Sequence, residues 1–304
     1  MRYIFDWLDY NLTKEDKMKN ITVYERVIIP LLVFLAFPGS IIAVEGAPSA
    51  YVLIFQGSEY DSKLGSAVDY FFNEVLKPQD SLLIITPQKP YNYSPQTRQS
   101  QSPAQMIQIT KDVLKRDISM GAASYKSILE QMEIIVDSLA SGGAEGRSLL
   151  VQYRQLLENL RNIRKWNDDI FIKLAQMLQQ NKGENHIFIF YQTELRIIPD
   201  RNALNKLRND PELKFDVSEA FEAENFGDVI GVEKVSQALK GCRAKLHFIY
   251  LKIKQRRRQG MEEKEFSGDI FNAFSKIAGE TGGQVETSSR ALPALKKIVG
   301  EMKK

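Results

Sequence analysis

The chain has 304 residues, 43% hydrophobic and 26% charged, with a formal net charge of +3. That is enough apolar material for one sizeable core, with or without an appendage, and the interspersed charges imply no polyanionic partner. A single cysteine, Cys242, excludes an intramolecular disulfide framework and any multi-cysteine metal site.

The N-terminal stretch reads as something other than a folded domain. Val27 to Val44 is almost wholly apolar, follows Lys14, Lys17, Lys19 and Arg26, and leads into Ala43, Gly46, Ala47, Ser49 and Ala50. Basic, then apolar, then small is the layout of a secretory signal. Met18 would give that signal a conventional length, leaving residues 1–17 as an upstream extension. Pro30, Pro38 and Gly39 interrupt the run, so a spanning helix of about 20 residues is marginal. The two prolines also disfavour a buried core helix. Pro48 directly after Ala47 makes a poor cleavage site, so an uncleaved anchor is the main variant. Residues 1–49 are therefore expected to be an extension plus signal peptide or membrane anchor, with a folded domain over 50–304. The expected location is periplasmic or cell-envelope, or anchored in a bacterial inner membrane through the apolar segment.

Beyond the leader, short apolar runs alternate with amphipathic helices, the pattern of an α/β sheet flanked by helices. Residues 51–55 form a first strand. Leu64, Val68, Phe71, Phe72 and Val75 recur at helical spacing and predict a helix over 63–77, closed by Pro78. Ser81 to Thr86 is a second buried strand, stopped by Pro87. The Pro-, Gln-, Ser- and Tyr-rich stretch 87–103 predicts a loop with room for an irregular edge strand.

Three helices are expected next, over about 104–118, 122–140 and 146–180, with a break at Ser141-Gly-Gly143. The last is long for a globular domain, and the final two are expected to pair as a helical hairpin over about 122–182. His186 to Tyr191 is nearly continuous in apolar character, as befits a central parallel strand. Helices near 201–209 and 231–240 bracket a polar, acidic stretch. Lys245 to Ile253 is a further strand, followed by the basic loop Lys254 to Arg258. A helix over about 266–280, a short strand at 284–286 and a helix over 291–302 complete the order.

Three segments carry a family likeness. The first is the opening strand running into Gln56-Gly-Ser58, followed by a helix and Leu76-Lys-Pro-Gln-Asp80. The second is Gly121-Ala-Ala-Ser-Tyr125 at a helix start. The third and most specific is Phe274-Ser-Lys-Ile-Ala-Gly-Glu-Thr-Gly-Gly283 before a short strand and Ala291-Leu-Pro-Ala-Leu295. Together and in this order they resemble a von Willebrand factor type A domain of the bacterial exported group, across roughly residues 50–302. The resemblance implies a Rossmann-like, doubly wound, mostly parallel sheet.

It also implies a metal site built from an Asp and two Ser in the first turn, a Thr in a middle loop and an Asp after the central strand. Carried across, those positions are Gln56, Ser58 and Tyr60, then Ala122, and a residue near Gln192 or Thr193. Only Ser58 keeps a ligand type. Mg²⁺ demands octahedral hard-oxygen coordination and dehydrates reluctantly, so no metal and no cofactor is expected at this degenerate site. A displaced cation site would need Glu59, Asp61 and Glu194 to converge; solvated loop acids are the plainer expectation.

Other chemistry is poorly supported. No glycine-rich phosphate loop follows a strand, and no Gly-x-Ser-x-Gly is present. His186 and His247 sit inside apolar runs, which favours packed strand positions over acid–base or metal chemistry. Lys252, Lys254, Arg256, Arg257 and Arg258 form the densest charge cluster. It lacks interleaved aromatics, so nucleic acid is not an expected partner. A solvated loop is the simplest expectation, with anionic lipid, an acidic partner or the acidic 219–228 stretch as alternatives. The leading expectation is thus a non-enzymatic interaction module that binds a protein near Gln56, Ser58, Tyr60, Ala122 and Gln192. Two others stay open: a Rossmann-like enzyme of unknown reaction and a structural cell-envelope component.

Overall fold

The computed structural model describes residues 47–142, 145–222 and 227–303. The expected signal or anchor lies outside the described residues, apart from 47–49. Among the described residues no helix is long and apolar enough to cross a membrane.

The first half of the chain runs β1 (Ala50–Gln56), α1 (Leu64–Tyr70, extended by a π turn over Phe71–Val75), β2 (Ser81–Ile85), β3 (Pro90–Tyr93), α2 (Pro95–Gln99), α3 (Pro103–Gly121), α4 (Ala123–Ala140), α5 (Gly146–Arg164) and α6 (Asp168–Leu178). The second half runs β4 (Asn185–Gln192), β5 (Leu195–Pro199), α7 (Arg201–Asn209), α8 (Lys214–Phe221), α9 (Val232–Gly241), β6 (Ala244–Leu251), β7 (Arg257–Arg258), β8 (Met261–Glu265), α10 (Gly268–Glu280), β9 (Val285–Ser288) and α11 (Ala291–Met302).

Six strands form one sheet in the order β3-β2-β1-β4-β6-β9. All its pairings are parallel except β2 with the edge strand β3. Strict alternation divides the side chains between two faces. Val52, Ile54, Ile187, Ile189, Leu246 and Phe248 point to one core with α6, α9 and α10. Leu53, Phe55, Leu82, Phe188, Phe190 and Ile249 point to the other with α1, α3 and α11. Strands covered on both faces need apolar residues at every position, which is why they read as unbroken runs. Each fully buried side chain of this kind contributes about 1.5–3 kcal/mol.

The Thr-Gly-Gly motif acquires a physical reason here. Gly282 adopts φ +72°, the left-handed conformation that ends a helix. The Gly283 N–H then donates to the Ala278 carbonyl at 2.8 Å. A Cβ on Gly283 would stand 1.8 Å from the Leu246 carbonyl oxygen, so only glycine lets the chain pass β6 before pairing with it as β9.

The expected 146–180 helix is two helices. Lys165 turns extended and Asn167 caps α6, its side chain accepting from the Asp169 N–H at 2.9 Å. Asp168 and Asp169 follow in the first turn, where negative charge is favoured. α6 packs on the large sheet, whereas α4 and α5 pack on each other and on a third core. That third core includes a three-stranded antiparallel sheet, β5-β8-β7, with α7 and α8. This small sheet and α8 have no counterpart among the sequence expectations. The tyrosines of the helix pair serve the outer edge of β5. Tyr125 donates to the Leu195 carbonyl at 2.7 Å and accepts from its N–H at 2.6 Å, and Tyr153 donates to the Ile197 carbonyl at 2.8 Å. Edge groups that would otherwise lie buried and unpaired are thereby satisfied.

Candidate functional site

In chain order the large sheet runs third, second, first, fourth, fifth, sixth. The direction of winding therefore reverses between β1 and β4, where open α/β sheets form a crevice at the strands' carboxyl ends. Gln56 and Gln192 are the last residues of these two strands.

The crevice is closed by neutral groups. Gln192, buried, turns its side-chain oxygen across the gap, where it accepts from Ser58 Oγ at 3.0 Å and from the Glu59 N–H at 2.9 Å. Gly57 permits the approach: a Cβ there would lie 3.2 Å from Gln192 Oε1 and 3.3 Å from Ile118 Cγ2. Ala122 is buried where α3 meets α4 and lines the same cavity as Gln56 and Ser58. The structure thus gathers Gln56, Ser58, Ala122 and Gln192 at one end of the sheet. Tyr60 is the exception. It packs half-buried against the α1/α3 side of the core and lines neither cavity at the crevice.

This donor set does not fit a divalent cation. Ser58 spends its proton on Gln192, the Gln192 oxygen already has two donors, and no carboxylate supplies the charge needed to offset cation dehydration. Glu194 is turned inward and paired with Arg164, away from any grouping with Glu59 and Asp61. Among the described residues no three His, Cys, Asp or Glu side chains are grouped as metal ligands.

Two cavities adjoin the crevice. The smaller, about 30 Å³, is lined by Gln56, Gln192, Glu59, Asp61 and Lys252 among others. The larger, about 80 Å³, lies over the ends of β1 and β2. Its walls include Ile163, Trp166 and Ile170, the hydroxyl residues Ser58 and Thr86, and Glu194. A separate open depression of about 360 Å³ lies between the starts of α6 and α9, where Lys234 stands 3.8 Å from Asp168 and 3.5 Å from Asp169.

Behind the larger cavity sits an ionic cluster with no anticipated counterpart. Arg164, the last residue of α5, donates Nε to Glu194, Nη2 to Asp269 Oδ1 at 2.5 Å and Nη1 to Asp269 Oδ2 at 3.3 Å. Its guanidinium also stacks 4.3 Å from the Phe266 ring centroid. The Arg164 side chain is 1% exposed and that of Glu194 10%. Burial alone would weaken the guanidinium's hold on its proton, but Glu194, Tyr191 and Asp269 hold the Arg164 pKa above the ordinary arginine value. Burial raises the Glu194 carboxyl above the usual range, with Arg164 opposing and Asp269 adding to the rise. The cluster joins three elements: α5 of the small-sheet unit, the β4–β5 link and α10 of the large sheet. Sequence reasoning missed it because Arg164 sits in a charged helix segment that looks solvated.

No protein-family model and no curated protein matches this chain. Its α/β class and its mostly parallel six-stranded sheet flanked by helices rest on the coordinates.

The two histidines pair with each other at the opposite end of β4 and β6. His186 Nδ1 lies 3.2 Å from His247 Nε2, and His186 Nε2 lies 3.1 Å from Glu184 Oε2. Both rings are buried and stacked among aromatics. Burial, then the neighbouring His186 and Lys245, push the His247 pKa down to about 3. In the basic loop, Arg257 pairs with Glu262 at 3.4 Å, and Arg258 pairs with Glu133.

Proposed function

We propose that this chain is a von Willebrand factor type A-like module that binds a protein partner without metal and without catalysis, exported or tethered at a bacterial envelope. The observation that carries it is the Gln192 side chain. It closes the crevice by accepting from Ser58 and Glu59, so the place where the family resemblance expects a cation holds a self-satisfied neutral amide. The cavities at this crevice, about 30 and 80 Å³, fall well below the roughly 300 Å³ at which small-molecule sites begin. That disfavours a Rossmann-like enzyme holding a cofactor there. A partner would then meet a rim of loops, with Gln56 at its half-buried centre.

Cross-linked capture from envelope extract, with the purified protein as bait, tests this. The same partner should be recovered in EDTA and in Mg²⁺. Gln56→Arg should abolish recovery, and Val151→Arg on the exposed side of α5 should not. Recovery that requires Mg²⁺, or that is lost only with Val151→Arg, would refute the rim as the binding surface.

A further inference from the structure

Every buried polar side chain in the wall of the larger crevice cavity is already engaged inside the chain. Ser58 gives its proton to Gln192, and Thr86 Oγ1 donates to Asp117 Oδ2 at 2.8 Å. The Tyr125 hydroxyl both donates to and accepts from Leu195, and Glu194 is paired with Arg164. The other polar side chains of the wall, Gln56, Ser124, Trp166 and Asn167, are half-buried or exposed, where water satisfies what the chain leaves over. What remains is apolar: Ile54 and Ile85 from β1 and β2, Ile163 from α5 and Ile170 from α6.

We infer that this cavity is a receptor for one aliphatic side chain presented by the protein partner. Electrostatic complementarity selects the occupant. An ammonium, carboxylate or amide entering here would give up its water without meeting an unengaged buried side chain, and an uncompensated polar group is costly to bury. An aliphatic group gives up nothing polar and covers the isoleucines, gaining in proportion to the apolar area removed from water. The volume, about 80 Å³, suits the end of one side chain. This inference rests on the proposal that the crevice end of the sheet meets a protein partner.

Xenon is the first probe, read by the δ1-methyl resonances of Ile54, Ile85, Ile163 and Ile170 in the intact protein, because dry apolar cavities take it up. Saturable shifts confined to these methyls are expected, and Ile170→Trp, which fills the cavity, should abolish them. Ile163→Trp decides the matter if Ile170→Trp fails to fold. The occupant is then read with a diazirine-bearing leucine analogue in place of Ile170, photolysed in envelope extract, and the adduct is sequenced. An adduct on a leucine, isoleucine or valine of another protein is expected. An adduct on a charged or polar side chain, on a lipid or on a second copy of this chain would overturn the inference. So would xenon shifts that are absent, or that survive in the filled variants. Partner recovery that persists with the cavity filled sinks the aliphatic receptor alone. Xenon binding with no partner recovered sinks the interaction module, and the occupant named here with it.

Discussion

Two buried polar clusters lie at the same end of the large sheet, and they are built on opposite terms. The Ser58–Gln192 cluster is neutral and closes on itself: one amide oxygen meets two donors, and no charge is taken out of water. The Arg164–Glu194–Asp269 cluster is ionic, nearly dry and spread over three elements. A neutral cluster costs little to bury and little to lose. An ionic cluster is poised, because removing one member strands the others without water. The contrast separates two jobs. The neutral cluster shapes the crevice, while the ionic one holds the small-sheet unit in register with the large sheet.

Breaking the ionic cluster should have the largest effect. Arg164→Met strands two carboxylates and is expected to cost about 3–5 kcal/mol in chemical denaturation. Combining it with Glu194→Gln and Asp269→Asn should recover most of that loss, because the stranded charges are gone. Failure to recover would mean that packing of Arg164 on Phe266, and not charge, is what matters.

Acid should act elsewhere. His247 has a folded pKa near 3, below its unfolded value near 6.5. Its contribution is therefore complete above pH 6.5 and is lost as pH falls towards 3, with about 3 kcal/mol gone between pH 8 and pH 4. Glu194 has the opposite sign: its pKa is raised, so its contribution is greatest at low pH and declines as pH rises through the folded value. His247→Leu should reduce the acid sensitivity, measured as the difference in denaturation midpoints at the two pH values, leaving the part that comes from His186, whose pKa burial also lowers. An unchanged difference would place the acid response in another group.

The neutral cluster should respond less. Gln192→Leu leaves the Ser58 hydroxyl and the Glu59 N–H without their acceptor and should cost about 1–3 kcal/mol. Ser58→Ala removes one donor and should cost about 1 kcal/mol. If Ser58→Ala cost as much as Arg164→Met, the contrast between the clusters would collapse.

The large sheet was legible because a strand buried on both faces must be apolar throughout. The runs 51–55, 81–86, 186–191 and 245–253 give it away, and the Thr-Gly-Gly turn marks the final strand. The small sheet was not. β8 reads Met261-Glu-Glu-Lys-Glu265, with one apolar residue, and is held by its pairing to β5 and β7. The helix break at 165–167 did carry a signal, the Asn-Asp-Asp cap, but continuous helical spacing on both sides masked it. At the crevice, motif correspondence named Gln56, Ser58, Ala122 and Gln192, which the fold brings to one end of the sheet, and Tyr60, which packs half-buried against the α1/α3 side of the core. Glu194 looked like a solvated loop acid because its partner, Arg164, lies 30 residues away in sequence.

The central claim is that the crevice between β1 and β4 carries no divalent-cation site, and Mn²⁺ titration by calorimetry with paramagnetic broadening tests it most directly. Millimolar Mn²⁺ should produce neither saturable heat nor selective broadening at Gly57, Ser58 and Gln192. Micromolar binding that broadens these three resonances and disappears in Ser58→Ala would contradict it.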